Sequence, residues 1–222
     1  MKTILIIMLL LLPALAFAED VTFKFGGFIP SANSDIWEVN VDETTFSVSN
    51  MAGGYVAGEI DLFLGRHFNF ACEVGYYQKD VLVEDIDFEY PDGWPIEHVV
   101  YLRTVPLQAS FKFLPLGRNR KIIPYVGGGL GFYFWDYQEY GDFVIYRYDD
   151  PEIITGYYQS TGVDLGYHGM FGLMIPIGWH YSVNAEIKYV RVDGNLGNDF
   201  DPTFEPIDLS GIYATAGISF WF

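Results

Sequence analysis

Polar side chains that could carry acid–base or ion-binding chemistry stand at alternate positions within segments that are otherwise apolar. Carboxylates and lysines could pair with one another, and a histidine could act as a general base. The set comprises nine residues: Lys24, Glu59, Asp61, Glu73, Lys112, Asp164, His168, Glu186 and Lys188. Because successive side chains of a strand point to opposite faces of its sheet, this spacing predicts that the nine share one face.

Catalysis by this set would start from His168, with Asp164 or Glu186 as the acid that orients its ring. The serine that such a site needs as a nucleophile is missing, because a glycine and then a methionine follow His168. His98, the other candidate base, also has no serine at a suitable spacing. We therefore predict no catalytic residue and interpret the chain as a protein without enzymatic activity.

Calcium is the metal ion whose ligands come closest to being present. Aspartate and asparagine oxygens alternate over residues 193–201, but the glycine and the final glutamate of an EF-hand loop are not at their required positions. A solvated acidic loop is the preferred interpretation. We predict no metal site and no cofactor, and we leave open an extracellular ligand or cation at the acidic connections.

Apolar side chains separate the polar set with the same period of two, and the repeat is most regular near Ile212, Ile218 and Phe220. Eight alternating segments can be delimited: residues 21–29, 52–64, 68–77, 99–113, 122–137, 161–177, 180–192 and 209–222. An even number of strands lets the first pair with the last and leaves no free edge. The pattern predicts an all-β fold, an eight-stranded antiparallel up-and-down transmembrane β-barrel with its apolar face in lipid.

The connections between these segments alternate in length and in charge. Three are short, residues 65–67, 114–121 and 178–180, and they contain Arg66, Arg118, Arg120 and Lys121. Four are long, residues 31–50, 83–97, 136–160 and 193–208, and they hold 21 of the 29 acidic residues. Outer-membrane barrels have short periplasmic turns and longer outer loops. We therefore expect the four long connections to be acidic extracellular loops.

The composition excludes some classes of partner and favours an exported protein. A net charge of −17 argues against nucleic acid or an anionic membrane surface as a diffuse electrostatic partner, and the single Cys72 cannot form an intramolecular disulfide. Lys2, an apolar run over residues 4–12 and the sequence Ala16-Phe17-Ala18 predict a signal peptide over residues 1–18. Residues 19–222 then form one barrel domain.

Several stretches of the barrel segments resemble a known group of proteins. The sequences VPL (105–107), KFLP (112–115), IPYVGGGLG (123–131) and NAEIKY (184–189) look like those of the small outer-membrane β-barrel families, the OmpA-, OmpX- and OmpW-like proteins. The resemblance covers essentially all of residues 19–222. It implies the barrel and a Gram-negative-type outer membrane. Members of these families act as structural proteins, adhesins or narrow porin-like passages, and occasionally as lipid-modifying enzymes.

The aromatic ending of the chain also resembles this group. Phe220 and Phe222 match the terminal signature that the assembly machinery of the outer membrane recognises, so the resemblance implies that machinery as a partner. Lipid A deacylases of similar size use a histidine and a serine two residues apart, and His168 has no such serine. The resemblance therefore does not supply the missing nucleophile.

Arg103 and Arg191 fall on the apolar register of the fourth and seventh segments, where lipid-facing side chains are expected. Both lie toward the outer end of their strand, where a guanidinium could bind the phosphates of lipopolysaccharide or extend into water. We predict that the pair binds lipid headgroups at the cell surface.

These observations predict a structural or surface-binding role in the cell outer membrane, with a polar lumen that side chains fill. The alternative is a narrow passive channel for small or hydrophobic solutes. A lipid-modifying enzyme is the third choice.

Overall fold

Long antiparallel strands make up most of the chain, as seen in a computed structural model that describes residues 19–147, 150–200 and 202–222. The predicted signal peptide, residues 1–18, lies outside the described residues. The elements in chain order are β1 (Asp20–Pro30), helix α1 (Asp35–Glu43), a 3-10 helix (Val48–Met51), β2 (Gly53–Phe63), β3 (Phe68–Glu89), β4 (Pro95–Phe113), β5 (Ile123–Arg147), β6 (Asp150–Pro176), β7 (Tyr181–Arg191), β8 (Asp193–Gly194), β9 (Ile207–Asp208) and β10 (Gly211–Trp221).

Eight of these strands form one sheet that closes on itself. Their order around the ring is β1, β10, β7, β6, β5, β4, β3 and β2, and every neighbouring pair is antiparallel. The closing pair runs from Asp20 opposite Trp221 to Pro30 opposite Gly211, so β1 and β10 satisfy each other's backbone groups along their full length. The predicted eight-stranded antiparallel barrel is confirmed.

The period of two in the sequence corresponds to an apolar outside and a largely polar inside. In β10, Tyr213, Thr215 and Ser219 are buried while Ile212 and Ile218 are exposed. The exposed apolar side chains form a continuous belt, which includes Phe23, Phe25, Val56, Phe111, Leu130, Phe132, Leu165, Phe171 and Ile187. A belt of this kind is the lipid-facing surface of a membrane barrel.

On β3 to β6, outward-facing polar side chains mark the edge of the belt nearest the long β3–β4 and β5–β6 hairpins. We call this end of the barrel its outer end. Gln78, Arg103 and Asp136 are successive cross-strand partners, and Gln138 and Gln159 each donate a hydrogen bond of 2.9 Å to Asp136. We refer to these five residues as the outer polar ring. Beyond it, strands can be polar on both faces because no lipid covers them.

The prediction of a loop is wrong for two of the four long connections. Residues 83–97 and 136–160 are mostly strand, because β3 and β4 continue past the outer polar ring as one hairpin and β5 and β6 as another. The hydrophobic alternation stops where the strands leave lipid, whereas the backbone ladder continues. These segments contain many charged residues and tyrosines, so their sequence did not predict strands.

The other two long connections fold over the outer end of the barrel. We refer to residues 31–52, 193–200 and 202–208 as the outer cap. Trp37 of α1 donates a hydrogen bond of 3.0 Å from its indole nitrogen to the backbone oxygen of Asp208, and its ring stacks on Phe46 and contacts Tyr137 edge-on. Ser34 accepts a bond of 3.0 Å from the Asp208 amide. In the described part of the chain, no helix has the length and apolarity needed to cross a membrane.

Candidate functional site

Lys24 lies at the centre of a buried charge network in the lumen. Its ammonium nitrogen is 2.9 Å from Glu59, 2.7 Å from Glu73 and 3.0 Å from Glu186. An ammonium group has three N–H donors, so these carboxylates use all of them. The four side chains are almost completely buried, as expected for charges that are both paired and hydrogen-bonded.

Two further lysines connect the remaining carboxylates. Lys112 is 2.5 Å from Glu59 and 3.2 Å from Asp61. Lys188 is 2.6 Å from Glu73 and 3.6 Å from Glu186. The structure thus brings together seven of the nine polar residues singled out from the sequence, and we refer to them as the lumen network: Lys24, Glu59, Asp61, Glu73, Lys112, Glu186 and Lys188.

Strand register explains why the network needs a central lysine. Glu59 of β2 and Glu73 of β3 are direct cross-strand partners, and like charges in that position repel each other. Lys24 on β1 reaches both carboxylates and offsets the repulsion. Residues from strands that are distant in the sheet meet because an eight-stranded barrel is just wide enough to hold side chains.

Two tyrosines and a glutamine add hydrogen bonds to the lumen network. The Tyr55 hydroxyl donates to Glu73 and the Tyr125 hydroxyl donates to Glu186, each at 2.9 Å. Gln108 accepts a bond of 2.8 Å from Lys188. Tyr55 lies directly over Gly75, where an added Cβ would be 2.0 Å from the tyrosine oxygen. The glycine therefore makes room for the ring.

His168 and Asp164 lie outside the lumen network. Asp164 accepts a bond of 2.7 Å from the Trp135 indole, nearer the outer end of the barrel. His168 Nε2 is 2.8 Å from the Ser110 hydroxyl, a pairing that sequence reasoning missed because Ser110 is on β4 and His168 on β6. No local spacing connects two residues on different strands.

The Ser110–His168 pair has the contact of a nucleophile and its base but lacks the rest of a catalytic site. Both side chains are buried in the lumen, and His168 Nδ1 has no partner among the described residues. A hydrolytic site needs a third group to orient the base and an opening through which substrate reaches the nucleophile. This geometry favours a packing role for the pair.

Asp20 is a buried carboxylate that sequence reasoning also missed. It is completely buried at the end of β1, and one of its oxygens has no hydrogen-bond partner among the described residues. The nearest hydroxyl, that of Thr22, is 3.5 Å from the other oxygen. The signal was present in the sequence, because Asp20, Thr22 and Lys24 share one face of the strand.

Arg103 and Arg191 both face outward and are less than half exposed. Arg103 belongs to the outer polar ring and pairs with Asp136 at 2.8 Å. Arg191, at the outer end of β7, is 3.1 Å from Asp193 and 4.0 Å from Asp208. Each guanidinium is therefore partly neutralised by a carboxylate of the same chain.

The two phenylalanines at the end of the chain differ in their surroundings. Phe220 faces outward on β10 and packs edge-on against Phe23 and Tyr181. Phe222 follows the end of β10 and is largely exposed. Phe220 thus contributes to the belt, whereas Phe222 is free to contact another molecule.

A second buried polar cluster lies beyond the outer polar ring, beneath α1. Asn40 donates a bond of 2.9 Å to Glu139, and the Tyr137 hydroxyl also donates to Glu139. Burial raises the pKa of Glu139 above its ordinary value of 4.5, while the two hydrogen bonds oppose that shift. The cluster connects the outer cap to β5.

Two clefts open on the outer cap. The larger, of about 350 Å³, is lined by Asn195, Leu196, Gly197, Asn198, Phe200, Pro202, Phe204 and Pro206. The smaller, of about 160 Å³, lies beside Trp37 and Val41 of α1. No group of three or more histidine, cysteine, aspartate or glutamate residues in the described ranges is arranged to hold a metal ion.

Comparison with protein-family models and with curated proteins finds no match for this chain. Solved structures of similar fold do exist. Neisserial surface protein A is 10% identical, with a TM-score of 0.50 over 92% of this chain and 98% of that one. A major outer membrane protein from Thermus thermophilus is 10% identical, with a TM-score of 0.51 over 91% of this chain and 99% of that one. The chain thus has the fold of the small outer-membrane β-barrels.

Proposed function

We propose that the chain is a bacterial outer-membrane protein with a sealed lumen and a structural or surface-binding role. β1 would start in the periplasm, which places the short turns there and the two long hairpins and the outer cap at the cell surface. The lengths of the connections support this orientation, because outer-membrane barrels have short periplasmic turns and longer outer connections.

The observation that carries the proposal is the burial of the lumen network. Lys24 and Glu186 are each 3% exposed, and Glu73 and Lys188 are each 2% exposed. Side chains that line a water-filled passage would be accessible to solvent over much more of their surface. The network therefore supports a closed lumen, and we infer that the protein functions through its outer surface.

The outer end of the lumen is closed a second time by the outer cap. Trp37, Phe46, Met51, Tyr77 and Tyr137 form an apolar cluster over the mouth of the barrel, and all five are buried. A solute would have to pass both this cluster and the charges below it. This arrangement argues against the narrow channel as the main role.

Conductance across planar bilayers tests the sealed lumen. We expect no stepwise conductance from the purified barrel, and none from a Glu73→Gln or Lys112→Gln variant that still folds. Conductance steps whose ion selectivity changes in either variant would contradict the proposal and support the passive channel. Mass spectrometry of lipid A from cells that express the chain should show no change, whereas a modified lipid A would support an enzyme.

The outer surface offers the features of a binding protein. The larger cleft of the outer cap combines asparagine side chains with aromatic and proline side chains, which is a common composition for ligand sites. The exposed Trp94 at the tip of the β3–β4 hairpin adds a large apolar group that a solvated tip does not need. We infer that an extracellular partner binds to the hairpins or the outer cap.

A further inference from the structure

Most of the basic residues in the described ranges fall into two groups. Five form ion pairs with carboxylates: Lys24, Lys112, Lys188, Arg103 and Arg191. Four others form none within the described ranges and lie together on the short β2–β3 and β4–β5 turns: Arg66, Arg118, Arg120 and Lys121. We refer to these four as the turn patch. Two other bases in the described ranges are separate from it, Lys79 on β3 and Arg147 at the end of β5.

Backbone contacts hold the two turns against each other. The Arg118 amide donates a bond of 3.2 Å to the Arg66 carbonyl, and the Leu114 amide donates one of 2.8 Å to that of His67. Gly117, with a positive φ of 68°, lies so close to the Arg66 side chain that a Cβ would be 2.9 Å from its Nε atom. These contacts hold the backbone of Arg118 beside that of Arg66.

The charges of the turn patch are available to a ligand. Arg66, Arg120 and Lys121 are exposed, while Arg118 stacks on the ring of Phe63 and donates to Asn69. The carboxylates of three residues attract the positive charge of Arg118: Glu19, Asp20 and Asp61. Asp20 and Asp61 are buried in the lumen, and Glu19 accepts a bond from the Phe63 amide.

The turn patch lies at the edge of the apolar belt. Leu64, Phe68, Leu116 and Ile122 are exposed beside it, and Phe113 carries the apolar surface upward along β4. A group of cations next to lipid-facing side chains is at the level of the headgroups. An anion bound there would meet three or four positive charges on one side and hydrocarbon on the other.

We propose that the turn patch binds the phosphate groups of anionic phospholipids in the periplasmic leaflet of the membrane. The inference rests on the orientation given under the proposed function. Arginine suits this ligand because its planar guanidinium binds phosphate through two parallel hydrogen bonds. Each base at an anionic membrane surface strengthens binding by about fivefold, so three exposed bases make a marked preference.

Spin-labelled lipids test the proposal. The purified barrel is reconstituted in phosphatidylcholine bilayers with a trace of labelled phosphatidylglycerol or of labelled phosphatidylcholine, and electron paramagnetic resonance gives the ratio of their association constants. We expect phosphatidylglycerol to be favoured by about fivefold or more, and less so at high salt. The triple variant Arg66→Gln, Arg120→Gln, Lys121→Gln should bring the ratio to about one. The single variant Lys79→Gln, which removes a base on β3 outside the turn patch, is the control and should keep the preference.

Three outcomes would overturn the inference. The first is a ratio of association constants that does not depend on the turn patch, either because it is one for the wild-type barrel or because it is unchanged in the triple variant. The second is loss of the preference when inorganic phosphate is added at the concentration of the labelled lipid, which would indicate a site for free phosphate. The third is binding to isolated peptidoglycan that the triple variant loses while no lipid preference exists. A heat-modifiable, inserted barrel in these experiments leaves the proposed function intact, whereas failure to insert would contradict that function itself.

Discussion

Lys24 is the residue on which the lumen network converges, because its ammonium group contacts three carboxylates that repel one another. In Lys24→Met, the methionine would fill much of the space but leave those charges buried with fewer partners. Removing one partner of a buried ion pair costs about 3–5 kcal/mol, and we expect the free energy of unfolding to fall by that order. The measurement is the urea midpoint of the barrel in detergent micelles.

Lys79→Met is the matched control, since Lys79 forms no ion pair within the described ranges and its loss should change the midpoint little. An unchanged midpoint in Lys24→Met would mean that water already solvates the network. In that case the lumen would contain more water than the burial of these side chains indicates. That result would contradict the proposed sealed lumen.

Arg103 and Arg191 carry the second prediction at this scale. Each is paired with an aspartate but keeps guanidinium N–H groups that could bind a lipopolysaccharide phosphate at the outer interface. Replacing both with glutamine should reduce the lipopolysaccharide that co-purifies with the folded barrel. Equal co-purification would contradict lipopolysaccharide binding by the arginines. Their ion pairs with aspartates would then account for both positions.

Among the elements, α1 is attached to the barrel partly through a buried acid. Glu139 of β5 accepts hydrogen bonds from Asn40 of α1 and from Tyr137, and burial raises its pKa above 4.5 with a contribution from the Glu43 carboxylate. A raised pKa in the folded state means that the stabilisation is complete below pH 4.5, where the acid is protonated in both states. It is lost as the pH rises through the raised pKa.

Hydrogen exchange of residues 31–52 measures this attachment. We expect the exchange, after correction for its intrinsic pH dependence, to become faster as the pH rises above 4.5 in the wild-type barrel. Glu139→Gln keeps the shape and the hydrogen-bonding oxygen but stays neutral, so its exchange should depend less on pH. A pH dependence that is the same in both proteins would assign the effect to other acids.

How well each element could be predicted from the sequence follows from its surroundings. β1, β7 and β10 lie in lipid along most of their length, and lipid requires an apolar side chain at every second position, so their strands and faces were readable. The outer halves of β3 to β6 and the elements of the outer cap lie in water, where no such requirement holds. Within the lumen, the faces were readable but the contacts were not, because Ser110 and His168 meet only after the barrel closes.

For the whole molecule, closure of the ring is the step that the apolar belt cannot complete by itself. Charges from the inner faces of five strands, β1, β2, β3, β4 and β7, pair across the lumen, and the seam between β1 and β10 joins residues that are almost the full chain apart. A half-formed barrel would expose both an unpaired strand edge and unpaired charges. We therefore expect assembly in cells to depend on recognition of the last strand by the assembly machinery.

Substituting serine at both Phe220 and Phe222 tests that dependence. Phe222 is largely exposed and Phe220 faces outward, so neither supports the lumen network, and refolding of the purified variant into detergent micelles should be close to normal. In cells, we expect less heat-modifiable barrel in the membrane fraction while total expression is unchanged. Phe25→Ser, which removes an exposed ring from β1, is the control and should assemble normally. Equal yields of all three proteins would show that these two phenylalanines are ordinary lipid-facing residues, and an equal defect in refolding and in cells would place their role in the barrel itself.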